Sequence, residues 1–183
     1  IANDIIKLAA ARELVNGIKI NTDKKILEDF QKSAGFDYTK DQKRSIKEIF
    51  ADLSSGRVMD RLLSGDVGFG KTEVAMNAML AVILDGFQAI FVCPTTLLAT
   101  QHYHSMQKRF SEFGISIAKL DGKTSAKEKT HIKKGLESGE IKLVIGTHSL
   151  LEIKTNNLAL VIIDEEHKFG VKQKEKLKHL RED

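Results

Sequence analysis

The sequence contains a single cysteine, Cys93, and no long hydrophobic run. A lone cysteine cannot form an internal disulfide, and Cys93 ends the apolar run 89–93, so we expect a buried side chain in a reducing cytoplasm. No apolar run approaches the roughly 20 residues that cross a bilayer, and no charged stretch followed by a hydrophobic segment opens the chain. Neither a membrane-spanning nor a secreted protein is predicted.

Zinc-ligand spacing, internal repeats and low-complexity segments are also lacking. His102 and His104 stand two apart in a helical stretch, so they should face different directions as solvated or packed residues. With 183 residues, 42% of them hydrophobic and 30% charged, the chain fits one packed domain. The net charge of +4 is compatible with a polyanionic partner, and the start at Ile1 without methionine predicts a segment of a longer protein.

Hydrophobic periodicity divides the chain into leading helices and an alternating region. Helices are predicted over 4–16, 22–33 and 39–55, followed by strands over 62–63, 89–93, 115–120, 141–145 and 158–163. Further helices over 71–84, 96–113 and 125–138 lie between these strands and end at Gly86, Gly114 and Gly139. This alternation predicts an α/β fold with parallel strands and right-handed crossovers.

A phosphate-binding loop is the strongest signal in the sequence. The pattern G-x-x-x-x-G-K-T is formed by Gly65, Asp66, Val67, Gly68, Phe69, Gly70, Lys71 and Thr72. It follows a predicted strand and opens a helix, where backbone N–H groups and the helix dipole favour phosphate oxygens. We expect Lys71 to reach the β- and γ-phosphates of ATP and Thr72 to bind Mg²⁺. The alternative is a flexible glycine turn that happens to precede Lys-Thr.

Acidic residues follow the last predicted strand, which is apolar throughout. Asp164 and Glu165 therefore stand at the carboxyl end of a buried parallel strand, the edge at which ligands bind such sheets. Asp164 is the predicted holder of Mg²⁺, directly or through an intervening ligand, and Glu165 the predicted base or positioner of the attacking water. The alternative is an acidic cluster stabilised by a helix dipole.

These motifs resemble one family of superfamily 2 DNA translocases. Residues 65–73, the segment Pro94-Thr95-Thr96-Leu97-Leu98-Ala99, the acidic motif 164–167 and the tail 168–177 are similar to the transcription-repair coupling factor family. RecG-like helicases are close relatives, and the stretch 120–129 is more like theirs. The resemblance implies a RecA-like P-loop NTPase domain with a mostly parallel sheet flanked by helices and preceded by N-terminal helices. It also implies that His167 couples the ATP state to the rest of the motor.

Further site residues follow from the same resemblance. The segment from Phe36 to Gln42 resembles the Q motif, in which an aromatic packs near the adenine and a glutamine reads its edge. The spacing of Thr39 and Gln42 is also that of a capping box, and both roles can hold at once. Thr95 and Thr96 resemble motif Ia, and Thr147 with His148 resembles motif Ib. These residues would contact the DNA backbone without reading sequence, although helix capping alone also explains the threonines.

Two regions are predicted along the chain. Residues 1–56 form a leading region with the Q-motif-like segment, and residues 57–183 form a RecA-like ATP-binding core. The core stops before the third helicase motif and the second RecA-like domain, which supplies an arginine finger. In RecA-like sheets, the strand of the third motif usually lies between the phosphate-loop strand and the acidic strand. We therefore expect a sheet with a central gap, filled by another chain or leaving the fragment partly rearranged.

The function that this resemblance implies is ATP hydrolysis in a double-stranded DNA translocase that displaces stalled RNA polymerase. RNA polymerase and repair factors would bind regions that this chain lacks, and the chain alone should be inactive or very weak. The alternatives are a RecG-like fork-remodelling helicase, a nucleotide-gated binding module without turnover, and a phosphate-loop kinase. No Arg-rich lid of the kind that a kinase needs is visible in the sequence.

Overall fold

The computed structural model describes residues 4–65 and 69–164 of the chain. The described elements are β1 (Asp4–Ala10), α1 (Arg12–Val15), α2 (Lys25–Lys32), α3 (Lys40–Ser55), β2 (Asp60–Gly65), α4 (Phe69–Leu84), β3 (Gln88–Val92), α5 (Thr96–Ser111), β4 (Ile117–Leu120), α6 (Ala126–Ser138), β5 (Leu143–Gly146), a 3₁₀ helix (His148–Glu152) and β6 (Leu158–Asp164). Within these ranges, no helix is both long and apolar enough to cross a bilayer.

The strands of the described residues form one six-stranded sheet in the order β2-β1-β6-β3-β5-β4. β3 pairs in parallel with β5 and β6, and β4 pairs in parallel with β5. β1 is antiparallel to both of its neighbours, so β2 runs in the same direction as β3 to β6. The predicted α/β fold with a mostly parallel sheet is therefore confirmed.

Both faces of the sheet are covered, because successive residues of its central strands point to opposite sides. On β3, Phe91 packs into a core that includes Phe30 of α2, Ile49 of α3 and most of α4. The next residue, Val92, belongs to a second core with Leu136 of α6 and residues of the 3₁₀ helix. Strands buried on both faces read as continuous apolar runs, and this is the pattern of 89–93 and 158–163.

The helix starts and ends agree closely with the sequence signals. Thr39 caps α3, its side chain accepting a bond from the Gln42 amide while the Gln42 side chain accepts from the Thr39 amide. The predicted capping box is thereby confirmed. Ser125 caps α6, and Gly139 ends that helix with φ of 85°. A positive φ of this size suits glycine, which has no Cβ to clash with the backbone.

The helix predicted over 4–16 is wrong for its first half, which is the strand β1. Ile6, Leu8 and Ala10 are buried in the core with α4, and Ala9 between them is buried on the other side of the sheet. Because both faces of β1 are buried, its apolar run is nearly continuous, and such a run fits a central strand as well as a buried helix. The short helix α1 then covers only Arg12–Val15, and the predicted second and third helices are confirmed as α2 and α3.

The predicted central gap in the sheet is also wrong, because β1 fills the position between β2 and β6. Asp4 pairs with Gly65 at one side of β1, and Ile6 pairs with Asp164 at the other. The sheet formed by the described residues is therefore continuous, and no second chain is needed to complete it. A strand of the leading region thus belongs to the sheet that carries the predicted ATP-binding core.

A buried polar cluster ties α4 to the segments that precede it and to α5. Glu73 of α4 accepts hydrogen bonds from the Tyr38 hydroxyl and from the Arg109 guanidinium of α5. Arg109 also donates to the Phe30 carbonyl over 3.1 Å and lies over the Phe30 ring. Asn77 donates to the Tyr38 hydroxyl over 3.2 Å. Burial and the bond to Glu73 raise the pKa of Tyr38 above its ordinary value, so the hydroxyl stays a donor.

The placement of β1 at the centre of the sheet predicts a large cost for trimming its core side chain. Replacing Leu8, which is 0% exposed, with alanine should lower the free energy of unfolding by about 2–5 kcal/mol through lost burial and a cavity. The control, Leu62→Ala on β2, removes a side chain that is 62% exposed and should cost under about 0.5 kcal/mol. Urea denaturation measures both, and equal losses would contradict the central position of β1.

The buried Arg109–Glu73 ion pair predicts a large loss of stability when its cation is removed, in contrast to a surface ion pair. Arg109→Met leaves the Glu73 carboxylate, 5% exposed, without its cation and should cost about 3–5 kcal/mol. Arg44→Met breaks the surface pair with Asp41 and should cost at most about 1 kcal/mol. The double variant Arg109→Met, Glu73→Met removes the stranded charge and should recover stability relative to the single variant. If the double variant is no more stable than Arg109→Met in chemical denaturation, the unpaired Glu73 charge is not the cause of the loss.

Candidate nucleotide-binding site

The predicted phosphate loop lies between β2 and α4, as its mechanism requires. β2 ends at Gly65 and α4 begins at Phe69, so Gly70, Lys71 and Thr72 occupy the first turn of the helix. Backbone N–H groups of a first helical turn have no partner within the helix and favour phosphate oxygens. Lys71 is buried and Thr72 half-buried. The loop residues Asp66, Val67 and Gly68 lie outside the described residues, so their role in ATP binding stays a prediction.

Asp164 ends β6 at the same edge of the sheet as the loop. Only β1 separates β2 from β6, and neighbouring strands lie about 4.8 Å apart, so the two strand ends are separated by on the order of 10 Å. Asp164 is 4% exposed. The predicted catalytic Glu165 and the predicted coupling residue His167 lie outside the described residues.

The residues at this edge are chemically suited to magnesium. A carboxylate as buried as Asp164 is costly unless cations or hydrogen bonds compensate its charge. Its oxygens and the Thr72 hydroxyl are hard oxygen ligands of the kind that Mg²⁺ prefers, and Mg²⁺ uses few protein groups beside phosphates and water. The donor set therefore fits the predicted ion.

Gln42 reaches the loop helix and lines a cavity beside it. Its side-chain amide donates to the Gly70 carbonyl over 3.3 Å, while its oxygen accepts from the Thr39 amide over 2.8 Å. The cavity has a volume of about 350 Å³, within the range of small-molecule sites. Its walls combine polar groups at the start of α3 with apolar side chains of β2 and α4, namely Thr39, Asp41, Gln42, Arg44, Ser45, Leu62, Leu63, Gly70, Lys71 and Val74. Such a cavity can receive a flat base next to the phosphate loop.

The structure does not bring Phe36 to this cavity. Phe36 is 49% exposed, contacts the Tyr38 ring at a centroid distance of 5.8 Å, and lines a separate depression with Glu28 and Lys32. Tyr38 is the aromatic that turns inward, where it meets Glu73 of α4. The resemblance to the Q motif pointed to Phe36, so the inward position of Tyr38 was not predicted. The two aromatics on either side of Asp37 did indicate that one aromatic lies near this site.

His102 makes a contact that the sequence pattern did not predict. Its Nε2 lies 3.0 Å from Oδ2 of Asp164, and its ring packs against Phe91 with centroids 4.9 Å apart. His104, two residues further along α5, is exposed. The two histidines therefore face different directions as expected, but one of them touches the predicted magnesium ligand. Only the order of the strands, which puts α5 beside the end of β6, could have indicated this.

The predicted DNA contacts follow β3 and β5, which end at the same edge of the sheet as β6. β3 lies between β6 and β5, so the segments that follow these strands are neighbours. Thr95 is exposed and its side chain accepts from the Leu98 amide over 3.2 Å, which confirms the capping role, and Thr96 is half-buried. Thr147 precedes the 3₁₀ helix without a side-chain capping bond, and His148 is exposed. Capping thus accounts for Thr95 but not for Thr147.

Comparisons with known proteins agree with this geometry. Residues 39–183 match the model of the DEAD/DEAH box helicase family. The chain is 55% identical to the transcription-repair-coupling factor of Helicobacter pylori J99 over 98% of the chain, and 45% identical to that of Bacillus subtilis over 99%. It is 48% identical to the ATP-dependent DNA helicase RecG of Thermotoga maritima over 93% of the chain.

A solved structure gives the same answer for the fold. The structure of RecG bound to a three-way DNA junction superposes with a TM-score of 0.70 at 42% identity, covering 78% of this chain and 20% of that one. This chain spans only 18%, 16% and 22% of the lengths of the three relatives named above. The family match covers well over half of the chain and includes the phosphate loop and the acidic strand end. The chain belongs to the DEAD/DEAH box helicase family.

Proposed function

We propose that this chain is the ATP-binding and hydrolysis half of a double-stranded DNA translocase that acts in transcription-coupled repair. The proposal depends on one observation: the helix that carries Lys71 and the buried Asp164 carboxylate lie at the same edge of the sheet. Similarity to transcription-repair-coupling factors over nearly the whole chain supports the repair context. RNA polymerase and repair factors would then bind other regions of the full-length protein, which would act in the cytoplasm.

In this proposal the residues divide the work of phosphoryl transfer. The first-turn amides of α4 and the Lys71 ammonium hold the phosphates and neutralise their charge. Gln42 reads the edge of the adenine from the cavity beside Gly70. Glu165 activates or positions the attacking water. Asp164 and Thr72 would hold Mg²⁺, which would supply positive charge to offset the negative charge that develops on the phosphates.

Turnover requires a cation that is not among these residues. The transition state of phosphoryl transfer is stabilised by an arginine finger, which in this class of motor comes from a second RecA-like domain. We therefore propose that the chain alone binds nucleotide but hydrolyses it very weakly. His167 would report the ATP state to that second domain. As an isolated piece, the chain then behaves as a nucleotide-gated binding module.

Duplex DNA would lie along the edge formed by the ends of β3 and β5. Thr96, Thr147 and His148 offer hydroxyl, ring and backbone N–H groups there, and such groups bind phosphates without reading bases. DNA binding of this kind is nonspecific and depends on salt. The Thr95 oxygen accepts a bond from the Leu98 amide, and its O–H group would still be able to donate to a phosphate oxygen.

A RecG-like fork-remodelling helicase is the second candidate function. It is favoured by the 48% identity to the Thermotoga maritima RecG and by the superposition on a RecG bound to a three-way DNA junction. Two assays on the full-length protein distinguish these functions. One measures release of stalled RNA polymerase from a linear template, and the other measures unwinding of a three-way junction. Activity on junctions without release of polymerase would replace the first candidate by the second.

Removing the loop lysine should abolish tight nucleotide binding. We expect Lys71→Ala to weaken binding of a fluorescent ATP analogue with Mg²⁺ by about 10-fold or more, because the phosphates lose their nearest cation; 10-fold corresponds to about 1.4 kcal/mol. Lys133→Ala, on the exposed face of α6, is the control and should bind as the unmodified chain does. Unchanged affinity in the Lys71 variant, with the fold intact, would remove the basis of the proposed site.

A second prediction concerns the DNA edge. Thr147→Ala should weaken binding of duplex DNA by the full-length protein to the same degree for unrelated sequences, because a phosphate contact carries no base information. Its slope of log affinity against log salt should stay unchanged, since threonine neutralises no phosphate. Thr155→Ala, in the loop before β6 at the opposite edge of the sheet, is the control. Fluorescence anisotropy measures both, and sequence-dependent losses would contradict a backbone contact.

A further inference from the structure

Helix α5 touches both halves of the proposed ATP site. Near its middle, His102 contacts Asp164 at the end of β6 over 3.0 Å. Near its end, Arg109 binds Glu73, which follows Lys71 and Thr72 on α4. Its first residue, Thr96, belongs to the proposed DNA edge. One rigid element therefore contacts the carboxylate proposed for Mg²⁺, the helix proposed for the phosphates, and the proposed DNA surface.

The contact between His102 and Asp164 is held firmly in place. The side chains are 18% and 6% exposed, so water screens the interaction little. The imidazole ring packs against the Phe91 ring of β3, with the ring centroids 4.9 Å apart. An ionised carboxylate can only accept hydrogen bonds, so Nε2 must carry the proton and donate it. The His102 ring can therefore orient the carboxylate, beyond filling space against β3.

Such a partner matters because carboxylates that bind metals are themselves held by hydrogen bonds, and removing those bonds weakens metal affinity. We propose that His102 is a positioning residue, which orients the Asp164 carboxylate for Mg²⁺. This proposal rests on the function proposed above. It adds a residue that the loop and acidic motifs do not include.

The effect should appear in the Mg²⁺ dependence of nucleotide binding. We expect His102→Leu, which keeps an apolar side chain beside Phe91 but cannot donate, to raise the Mg²⁺ concentration at half-maximal enhancement of ADP binding by about 10-fold or more. Binding of ADP with Mg²⁺ chelated should stay unchanged. His102→Gln places an N–H donor at a similar distance from the backbone, so it should restore the Mg²⁺ dependence.

One control variant and one measurement on the unmodified chain separate this role from a structural one. His104→Leu, an exposed position on the same helix, should leave the Mg²⁺ dependence unchanged. In the unmodified, nucleotide-free chain, ¹⁵N NMR of the histidines at mildly alkaline pH should find the His102 proton on Nε2. That measurement needs neither a variant nor a ligand, so it remains decisive should His102→Leu fail to fold.

The proposal is overturned by a normal Mg²⁺ dependence in His102→Leu, by failure of His102→Gln to restore it, or by a proton on Nδ1 in the neutral ring. Its failure is distinguishable from failure of the proposed function. If Lys71→Ala loses nucleotide affinity while His102→Leu behaves normally, only the positioning role is lost. If Lys71→Ala binds nucleotide normally, the nucleotide site itself is wrongly assigned, whatever the histidine variants do.

Discussion

The common direction of β2, β3, β5 and β6 is the constraint on which the site depends. Each of these strands ends at the same edge of the sheet, so the end of β2, the carboxylate of Asp164 and the segments after β3 and β5 lie there together. No single helix or loop could gather these groups from positions so far apart in sequence. The reversed strand β1 sets the separation between the loop and Asp164, because it lies between β2 and β6.

The cluster around Glu73 holds the phosphate-loop helix in a defined orientation. Residues 74–83 of α4 are apolar apart from Asn77 and lie inside the protein, so hydrophobic burial alone would tolerate a slide or rotation of the helix. A buried ion pair adds little net stability, because desolvation offsets most of the attraction. The Arg109–Glu73 pair is directional, however, and rotation of α4 about its axis would leave a buried charge without its partner. The pair thereby fixes where Lys71 and Thr72 stand.

Local signals in the sequence predicted much of this structure, and contacts between distant residues account for what they missed. The strand-loop-helix at Lys71 and the box of Thr39 and Gln42 depend on neighbours in sequence, and both were predicted correctly. The segment of β1 is too short for its spacing to separate helix from strand, and pairing with β2 and β6 decides the matter. His102 meets Asp164 across 62 positions, which no local pattern encodes.

Gln42 joins the two ends of the proposed nucleotide through one side chain. Its oxygen accepts from the Thr39 amide, and its amide nitrogen donates to the Gly70 carbonyl. Each atom keeps capacity for one more hydrogen bond, so capping and adenine recognition are compatible. Any movement of Gly70 would shift this amide and with it the start of α3. A cap of this kind contributes about 1 kcal/mol to stability. A shift of Gln42 that weakens the cap would therefore cost little free energy, and the sites proposed for the base and the phosphates would be linked through it.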